Sequence, residues 1–326
     1  MTEMTMVQAI NQTIELALEK DPSVVLLGED IGTNGGVFRV TDGLINKFGK
    51  DRIIDTPLAE SAIIGTAFGM SINGLKPIAE IQFMGFIYEA MDQISSQVAR
   101  IRSKSAGRFN APLVIRSPYG GGVRAPELHS DSLEALFSHT PGLKVVMPSN
   151  AYDAKGLLLA AIEDEDPVLF LEPMKLYRAF KEEVPDHPYT IPIGKASTLI
   201  EGNDITIVSW GPPIILLKKI VQVYKQKGIS IELIDLRTIA PLDIETIVKS
   251  VTKTERLVIV HEAVKTNGVG AEIAALISER AIFSLVAPII RVTGFDSPYP
   301  VTTVEEEWLP NMERISDAID QIMTYD

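Results

Sequence analysis

The chain of 326 residues contains no cysteine. Disulfides are therefore excluded, and so are metal or redox centres built on thiolates. The sequence also lacks any apolar run that approaches the roughly 18 residues of a membrane-spanning helix. Its first twenty residues, MTEMTMVQAINQTIELALEK, contain no basic segment followed by an apolar one, so we find no secretory signal. From these absences we expect a cytoplasmic protein that does not contact a membrane.

Basic residues are also scarce. The sequence has 30 lysines and arginines against 43 aspartates and glutamates, a formal net charge of −13. This balance disfavours nucleic acid and anionic lipid as the main partner, whereas a basic protein partner fits it. Hydrophobic residues make up 46% and charged residues 22%, which is typical of a soluble globular protein with a substantial core.

Several familiar catalytic and nucleotide-binding motifs are missing. No G-x-x-x-x-G-K-[ST] phosphate loop occurs, and the segments GGVFRVTDG and YGGGVRAPE lack the G-x-G-x-x-G spacing of a dinucleotide site. The segment HEAVK lacks the second histidine of a zinc-binding helix. No G-x-S-x-G elbow is present. Dinucleotide binding, zinc peptidase chemistry and α/β-hydrolase chemistry are therefore disfavoured.

Short runs rich in valine, isoleucine and leucine alternate with helical patterns. The runs are SVVLLGED, KPIAEIQF, APLVIRS, LKVVMPS, PVLFLEP, DITIVSW, ISIELIDLR, RLVIVHE and PIIRVTGF. Because they are continuously apolar, they predict strands buried on both faces. The alternation of strands and helices predicts an α/β fold with parallel sheets and helices on both faces.

The alternation weakens between Leu176 and Asp204, where proline, charge and short extended pieces dominate. We therefore predict two domains, residues 1–186 and residues 187–326.

One acidic residue stands out in the stretch IIDTPLAESAIIGTAFGMSING. Glu60 lies between an extended lead-in and a run of small and apolar residues that includes Gly65 and Gly69. The G-x-x-x-G spacing places both glycines on one helix face and permits close backbone approach. From position alone, Glu60 is either a helix-start acid favoured by the helix dipole, worth ~0.3–1 kcal/mol, or a functional carboxylate.

His129 lies in the irregular segment YGGGVRAPELHSDSLEALF, after a predicted strand and before a predicted helix. In a parallel sheet this is the carboxyl end of a strand, where ligands bind. An imidazole there can act as acid, base or hydrogen-bond donor near neutral pH. The alternative is a histidine that caps a helix or braces a loop. We interpret His187, in the weakly patterned segment, and His261, at a strand end, as structural.

Four long stretches resemble a known family. They are MTMVQAINQTIELALEKDPSVVLLGEDIGTNGGVFRVTDGL, FGKDRIIDTPLAESAIIGTAFGMSINGLKPIAEIQF, ELHSDSLEALFSHTPGLKVVMPSNAYDAKGLL and DPVLFLEPMKLYR, and LIDLRTIAPLD adds to them. The chain resembles the beta subunit of the thiamine diphosphate-dependent component of 2-oxo acid dehydrogenase complexes, of pyruvate or branched-chain type. The resemblance implies a pyrimidine-binding domain with the thiamine diphosphate-binding fold, followed by a transketolase C-terminal-type α/β domain.

The resemblance also implies roles for the two candidate residues. In the family, the glutamate that matches Glu60 hydrogen-bonds N1′ of the thiamine aminopyrimidine and promotes deprotonation of thiazolium C2. Burial between subunits should raise the pKa of such a carboxyl. The histidine that matches His129 interacts with reaction intermediates and assists transfer of the acyl group to a lipoyl arm.

The stretch QFMGFIY matches the family's wall around the aminopyrimidine. By this match Tyr88 is our first candidate for the ring contact, followed by Met84 and Phe86, through aromatic or apolar stacking. Glu29 is implied as a second acid near the cofactor. Relatives also hold a potassium ion below the site, whose ligands here would be mainly oxygens of Leu113, Ala161, Asp164 and Asp166.

The diphosphate half of a thiamine site is missing. The usual motif begins with G-D-G and ends with N-N about 30 residues later in the family, and neither sequence occurs here. The resemblance therefore implies that an alpha subunit supplies the diphosphate and magnesium site, and that the two chains form an α2β2 heterotetramer. It also implies that the second domain docks the peripheral subunit-binding domain of a dihydrolipoyl acyltransferase. The acidic segment VEEEW at 304–308 and the terminal Asp326 suit a basic docking domain, although a solvated acidic surface explains them as well.

Three alternatives stay open at this point. The chain could be the C-terminal chain of a split transketolase, the beta subunit of an acetoin dehydrogenase, or a non-catalytic scaffold that recruits the acyltransferase. Among 2-oxo acids, GGGVRAPELHSDSLE and LEPMKLYR favour pyruvate, whereas LLLAAIEDEDP and LYRAFKEEVP also resemble branched-chain and acetoin relatives.

Overall fold

The computed structural model describes residues 1–126, 128–300 and 302–325. Asp326, assigned above to the acidic docking surface, lies outside the described residues. The strands are β1 (Thr2–Met4), β2 (Val24–Gly28), β3 (Ile53–Asp55), β4 (Lys76–Glu80), β5 (Val114–Tyr119), β6 (Lys144–Val146), β7 (Val168–Pro173), β8 (Glu182–Val184), β9 (Ser197–Ile200), β10 (Ile205–Ser209), β11 (Ile231–Asp235), β12 (Thr238–Ala240), β13 (Leu257–Val264) and β14 (Ile290–Gly294).

Helices connect most of these strands. The α-helices are α1 (Met6–Lys20), α2 (Leu44–Phe48), α3 (Glu60–Ile72), α4 (Ile101–Lys104), α5 (Glu134–Ser138), α6 (Ala151–Glu163), α7 (Pro213–Gln226), α8 (Ile244–Thr254), α9 (Val269–Ala281), α10 (Glu305–Trp308) and α11 (Met312–Ile322). Two irregular helical segments follow β4: a 3-10 segment at Met84–Ala90 and a π-helical segment at Asp92–Val98.

The first half of the chain builds a mostly parallel sheet. Across the described residues its strand order is β12-β6-β7-β5-β4-β2-β3, and every neighbouring pair is parallel except β12 with β6. Strands β2, β5 and β7 are buried along their whole length, as their continuous apolarity predicted. The α/β prediction is therefore confirmed.

The second half builds another sheet, in the order β14-β13-β10-β11-β9 within the described chain, with β9 antiparallel at one edge. Strand β12 also belongs to the second half of the chain, but it pairs with β6 of the first sheet. The segment 185–196, between β8 and β9, contains neither helix nor strand, and the predicted boundary after residue 186 lies within it.

One hydrophobic core runs through both halves. It joins Ile115 and Leu171 of the first sheet to Val208 and Ile259 of the second. Separate cores fill the outer faces, where α1 and α6 cover the first sheet and α7 and α11 cover the second. Both sheets are thus covered on both faces, and the halves share a buried apolar contact.

Helix starts follow local capping chemistry, with an informative exception at Glu60. Helix α1 begins with a capping box between Thr5 and Gln8, and Asn150 caps α6. Helix α3 begins directly at Glu60, after Ala59, and has no side-chain cap. The Glu60 carboxylate therefore suits the helix dipole without being used as a capping acceptor.

Candidate functional site at the carboxyl edge of the first sheet

Four neighbouring parallel strands end at the same edge of the first sheet. Glu29 directly follows β2, and Glu60 begins the helix that follows β3. The segment with Met84 follows β4, and the segment with His129 follows β5. Because β2, β3, β4 and β5 are parallel, their carboxyl ends meet at one edge, where ligands bind in open α/β sheets.

Glu29 and Glu60 interact electrostatically at this edge. The strand register pairs Gly28 with Asp55, and the Thr56 N–H donates to the Gly28 carbonyl at 3.0 Å. This pairing fixes the lead-in to α3 against the end of β2. Burial raises the pKa of Glu29, and the nearby acids Asp30 and Glu60 raise it further. The structure thus brings the two predicted acids together.

Glu60 has an unused acceptor. Its side chain is 8% exposed, and within the described residues its carboxylate has no hydrogen-bond or ion-pair partner. Its oxygens are not among the fully buried side-chain atoms, so a donor from a ligand or another chain can reach them. This carboxylate therefore has the chemistry needed to accept a hydrogen bond from a ring N–H of a bound group.

His129 lies against two aromatic rings. Its imidazole centroid is 4.5 Å from the Phe83 ring and 5.0 Å from the Phe86 ring, with the second contact edge to face. Phe83 and Phe86 also contact each other at 5.7 Å. The sequence prediction included Phe86 but missed Phe83, although both stand in QFMGFIY. The two rings restrict how the imidazole can turn.

The remaining members of the predicted aromatic wall differ in exposure. Tyr88 is 47% exposed, and its pKa is raised by burial and then by Asp131. Met84 is only 1% exposed, and its Sδ accepts a hydrogen bond from the Leu133 N–H at 3.4 Å. Tyr88 therefore faces outward from the edge, whereas Met84 braces the segment after His129 from within the core.

A glycine holds the two segments together. The Gly85 N–H donates to the Leu128 carbonyl at 3.0 Å. A Cβ atom at Gly85 would lie 2.2 Å from that oxygen, closer than any side chain tolerates. The approach of the 84–90 segment to His129 thus depends on the absence of a side chain here.

A buried cluster of ion-paired side chains lies on the strands that lead to this edge. Arg116 of β5 contacts Glu80 at 2.7 Å, and it contacts Glu172 at 2.6 and 2.8 Å. The Tyr177 hydroxyl donates to Glu172 at 2.6 Å. Burial raises the pKa of Glu80, while Arg116 lowers it. Sequence reasoning missed this cluster, although each of its charged members stands inside or at the end of an apolar run.

The four residues predicted to hold potassium lie in one neighbourhood. The Leu113 carbonyl accepts from Val168 at 3.0 Å, and the Ala161 carbonyl accepts from the Asp164 N–H at 3.4 Å. The Asp164 carboxylate binds Lys144 and the Asp166 N–H. The Asp166 carboxylate forms an ion pair with Arg102 at 2.5 Å. Because both carboxylates already have cationic partners, a potassium ion here would depend on main-chain oxygens.

The acidic segment VEEEW is only partly a surface. Glu306 and Glu307 are exposed, but Glu305 is 3% exposed and accepts hydrogen bonds from the Arg124 N–H and the Tyr299 hydroxyl. Glu305 therefore does not belong to an exposed docking surface.

The predicted residues near Glu60 and His129 follow the carboxyl ends of the strands, whereas the predicted potassium ligands lie next to the amino ends of β5 and β7. Two surface cavities, of about 920 and 810 Å³, lie away from Glu60 and His129, and the smaller one is lined in part by Asp166. In the part of the chain that the structure describes, we find no group of three or more histidine, aspartate or glutamate side chains that could hold a metal ion. Nor is any described helix long and apolar enough to cross a membrane.

Comparison with known proteins identifies the family. The model of the transketolase pyrimidine-binding domain matches residues 2–179, and that of the transketolase C-terminal domain matches residues 194–315. A split gene transketolase, described as an inactive beta4 tetramer, superimposes with a TM-score of 0.81 at 21% identity over 99% of both chains, which shows a common fold.

Three bacterial relatives are much more similar in sequence. The pyruvate dehydrogenase E1 component subunit beta of Staphylococcus epidermidis is 54% identical over 97% of both chains. The subunits of the same name from Staphylococcus aureus and Bacillus subtilis are 52% and 50% identical over 100% of both chains. The chain belongs to this family of beta subunits of a thiamine diphosphate-dependent 2-oxo acid dehydrogenase component, built from a transketolase pyrimidine-binding domain and a transketolase C-terminal domain.

Proposed function

We propose that this chain, together with an alpha subunit, catalyses the oxidative decarboxylation of pyruvate and the reductive acylation of lipoyl groups on an acyltransferase. The observation that carries the proposal is that Glu60 and His129, 69 positions apart in the sequence, both lie at the carboxyl edge of the first sheet. The names of the relatives at 50–54% identity support pyruvate as the substrate.

The residues present fit one half of a thiamine diphosphate site. Glu60 offers an unpartnered, mostly buried carboxylate at the edge, which is what an aminopyrimidine N1′ requires. When bound, the cofactor supplies a carbon nucleophile and an electron sink for decarboxylation. The role of Glu60 is to share a proton with the pyrimidine ring. Glu29 lies close enough to Glu60 for the two carboxylates to interact, and burial followed by Asp30 and Glu60 raises the pKa of Glu29.

The side chains around Glu60 complete the proposed ring contact. Tyr88 is exposed enough to stack on a bound ring, and Phe86 packs edge to face on His129. Met84 contributes indirectly, because it holds the segment after His129 in place.

His129 is proposed to act on the substrate side of the site. Its ring packs against both Phe83 and Phe86, which limits the orientations in which it can give or accept a proton. A positioned imidazole of this kind contributes typically ~10²–10⁴-fold to a proton-transfer step. We assign it to stabilising the substrate oxygen and to the transfer of the acyl group.

The alpha subunit is proposed to supply the diphosphate and magnesium contacts, because this chain has no G-D-G or N-N motif. Helix α3 offers a surface for that subunit or for a second beta chain. Ser61, Ala62 and Thr66 are exposed, and a Cβ atom at Gly69 would meet no atom within 4 Å. Small, exposed side chains beside Glu60 permit close approach of another backbone, as an α2β2 heterotetramer with a shared site requires.

Two further assignments belong to this proposal. Potassium would bind main-chain oxygens at Leu113, Ala161, Asp164 and Asp166 and would tie the end of α6 to β5. The peripheral subunit-binding domain of the acyltransferase would meet the exposed acids Glu306 and Glu307, because a basic domain is attracted to them. We place the assembled enzyme in the cytoplasm.

Reconstitution with the cognate alpha subunit tests the proposal. The assembled enzyme is offered pyruvate, three branched-chain 2-oxo acids and acetoin, and the release of carbon dioxide and acylation of a lipoyl domain are measured. Ketol transfer between sugar phosphates is measured in parallel. We expect the highest kcat/KM for pyruvate. A preference for branched-chain acids or acetoin would contradict pyruvate as the substrate. Ketol transfer without lipoyl acylation would assign the chain to a split transketolase.

A further inference from the structure

The segment that leads to His129 is held by the second half of the chain. The Gly121 N–H donates to Glu262 Oε2 at 3.3 Å, and the Arg124 N–H donates to Glu305 Oε1 at 3.2 Å. Glu262 belongs to β13 and Glu305 begins α10. Both carboxylates are buried, at 6% and 3% exposure. Two main-chain donors therefore depend on acceptors from the other domain.

Tyr299 fixes one of these acceptors. Its hydroxyl donates to Glu305 Oε1 at 2.5 Å, and its ring packs edge to face on Trp308 at 5.1 Å. The same hydroxyl lies so close to the segment that a Cβ atom at Gly121 would be 2.0 Å from it. The glycines before His129 therefore allow the backbone to approach Tyr299 and Glu262 closely.

The other side of His129 is anchored to the first domain. The Leu128 carbonyl accepts from Gly85, and the Leu133 N–H donates to Met84 Sδ. His129 therefore stands on a segment fixed at one end to the second domain and at the other to the first. A change at either anchor alters where the imidazole lies.

We propose that Tyr299, Glu305 and Glu262 are positioning residues for His129. They hold the segment 120–124 on the second domain and so set the imidazole against Phe83 and Phe86. The inference rests on the catalytic role proposed for His129, and it extends that role to residues of the transketolase C-terminal domain.

The test compares Tyr299→Phe with Tyr224→Phe in the reconstituted α2β2 enzyme. Tyr224 is a matched control, because its hydroxyl donates to Asp320 at 2.7 Å within the second domain and does not contact the His129 segment. Hydrogen exchange of peptides that cover residues 120–133 is followed by mass spectrometry, and kcat and KM for lipoyl acylation are measured with pyruvate.

We expect Tyr299→Phe to speed exchange in this segment about three- to tenfold, as the loss of one hydrogen bond predicts. It should lower kcat for acylation with little change in the KM for pyruvate, and Tyr224→Phe should do neither. Glu305→Gln, which keeps an acceptor oxygen, should retain protection that Glu305→Ala loses.

Unchanged exchange in Tyr299→Phe would overturn the anchoring. Faster exchange with unchanged kcat would overturn the positioning role. Full activity of His129→Ala would instead contradict the catalytic role proposed for His129, on which this inference rests. The exchange rates of Tyr299→Phe test the anchoring separately, so the two failures can be told apart.

Discussion

Glu262 gives a prediction whose size follows from its burial. Its carboxyl is 6% exposed, and burial raises its pKa from 4.5 to about 7, with Lys175 opposing the shift and Glu134 and Glu305 adding to it. The folded protein therefore holds this proton at pH values where the unfolded chain has released it. Stability from the neutral carboxyl is fully present below pH 4.5 and is lost as the pH rises towards 7.

The Glu262→Gln variant should not show this loss of stability with rising pH. The amide keeps an oxygen for the Gly121 N–H and cannot ionise. A rise of the pKa from 4.5 to about 7 corresponds to roughly 3 kcal/mol, most of which falls between pH 5 and pH 8. We therefore expect the unfolding free energy of the variant, relative to the native chain, to rise by about that amount over this range.

Urea unfolding at pH 5, 6, 7 and 8 measures the difference. Unfolding is followed by the fluorescence of Trp210 and Trp308. Both rings have specific contacts that unfolding breaks, since Trp210 hydrogen-bonds Glu134 and Trp308 packs on Tyr299. Asp235 is also buried, with a pKa raised to about 7, but it is present in both proteins and cancels in the comparison. A difference that does not change with pH would refute the reasoning, because Glu262 would then ionise in the fold as easily as in water.

The remaining predictions concern the edge and its support. In the reconstituted enzyme, His129→Ala should assemble normally and lower lipoyl acylation by ~10²-fold or more, measured by lipoyl-domain mass; unchanged acylation would contradict its role. Glu172→Gln should destabilise the chain by about 3–5 kcal/mol in urea unfolding, since it leaves Arg116 poorly compensated, and a change under 1 kcal/mol would contradict this. Gly85→Ala should lower both thermal stability and acylation, because its Cβ would meet Leu128. Gly74→Ala is the control: its Cβ would meet no neighbour, but its φ is positive, so it should lower thermal stability alone.

The sequence predicted the class of fold because its strands are continuously apolar and lie between helical patterns. That pattern follows directly from burial on both faces, as in β2, β5 and β7. Strand β12 was not predictable in this way. It has three residues and leaves the sheet of its own half to pair with β6, a choice made by tertiary packing.

The candidate site was predictable only in part. Glu60 and His129 were predicted from position and family motif, and the parallel strand ends explain why both lie at one edge of the sheet. The anchors of the His129 segment were not found, because Gly121 and Glu262 are 141 positions apart and no local pattern links them. The burial of Glu305 was also missed, since VEEEW looks like a charged surface until Tyr299 is placed beside it.

The central claim is that Glu60 is the carboxylate through which this chain activates its cofactor. The most direct measurement is the rate of pyruvate decarboxylation by the reconstituted α2β2 enzyme carrying Glu60→Gln. Glu245→Gln is the control, because Glu245 is also a first-turn acid of an α-helix, in α8 of the second domain, and is exposed. We predict a loss of ~10²-fold or more for Glu60→Gln and full activity for Glu245→Gln. Full activity of a well-assembled Glu60→Gln enzyme would contradict the claim.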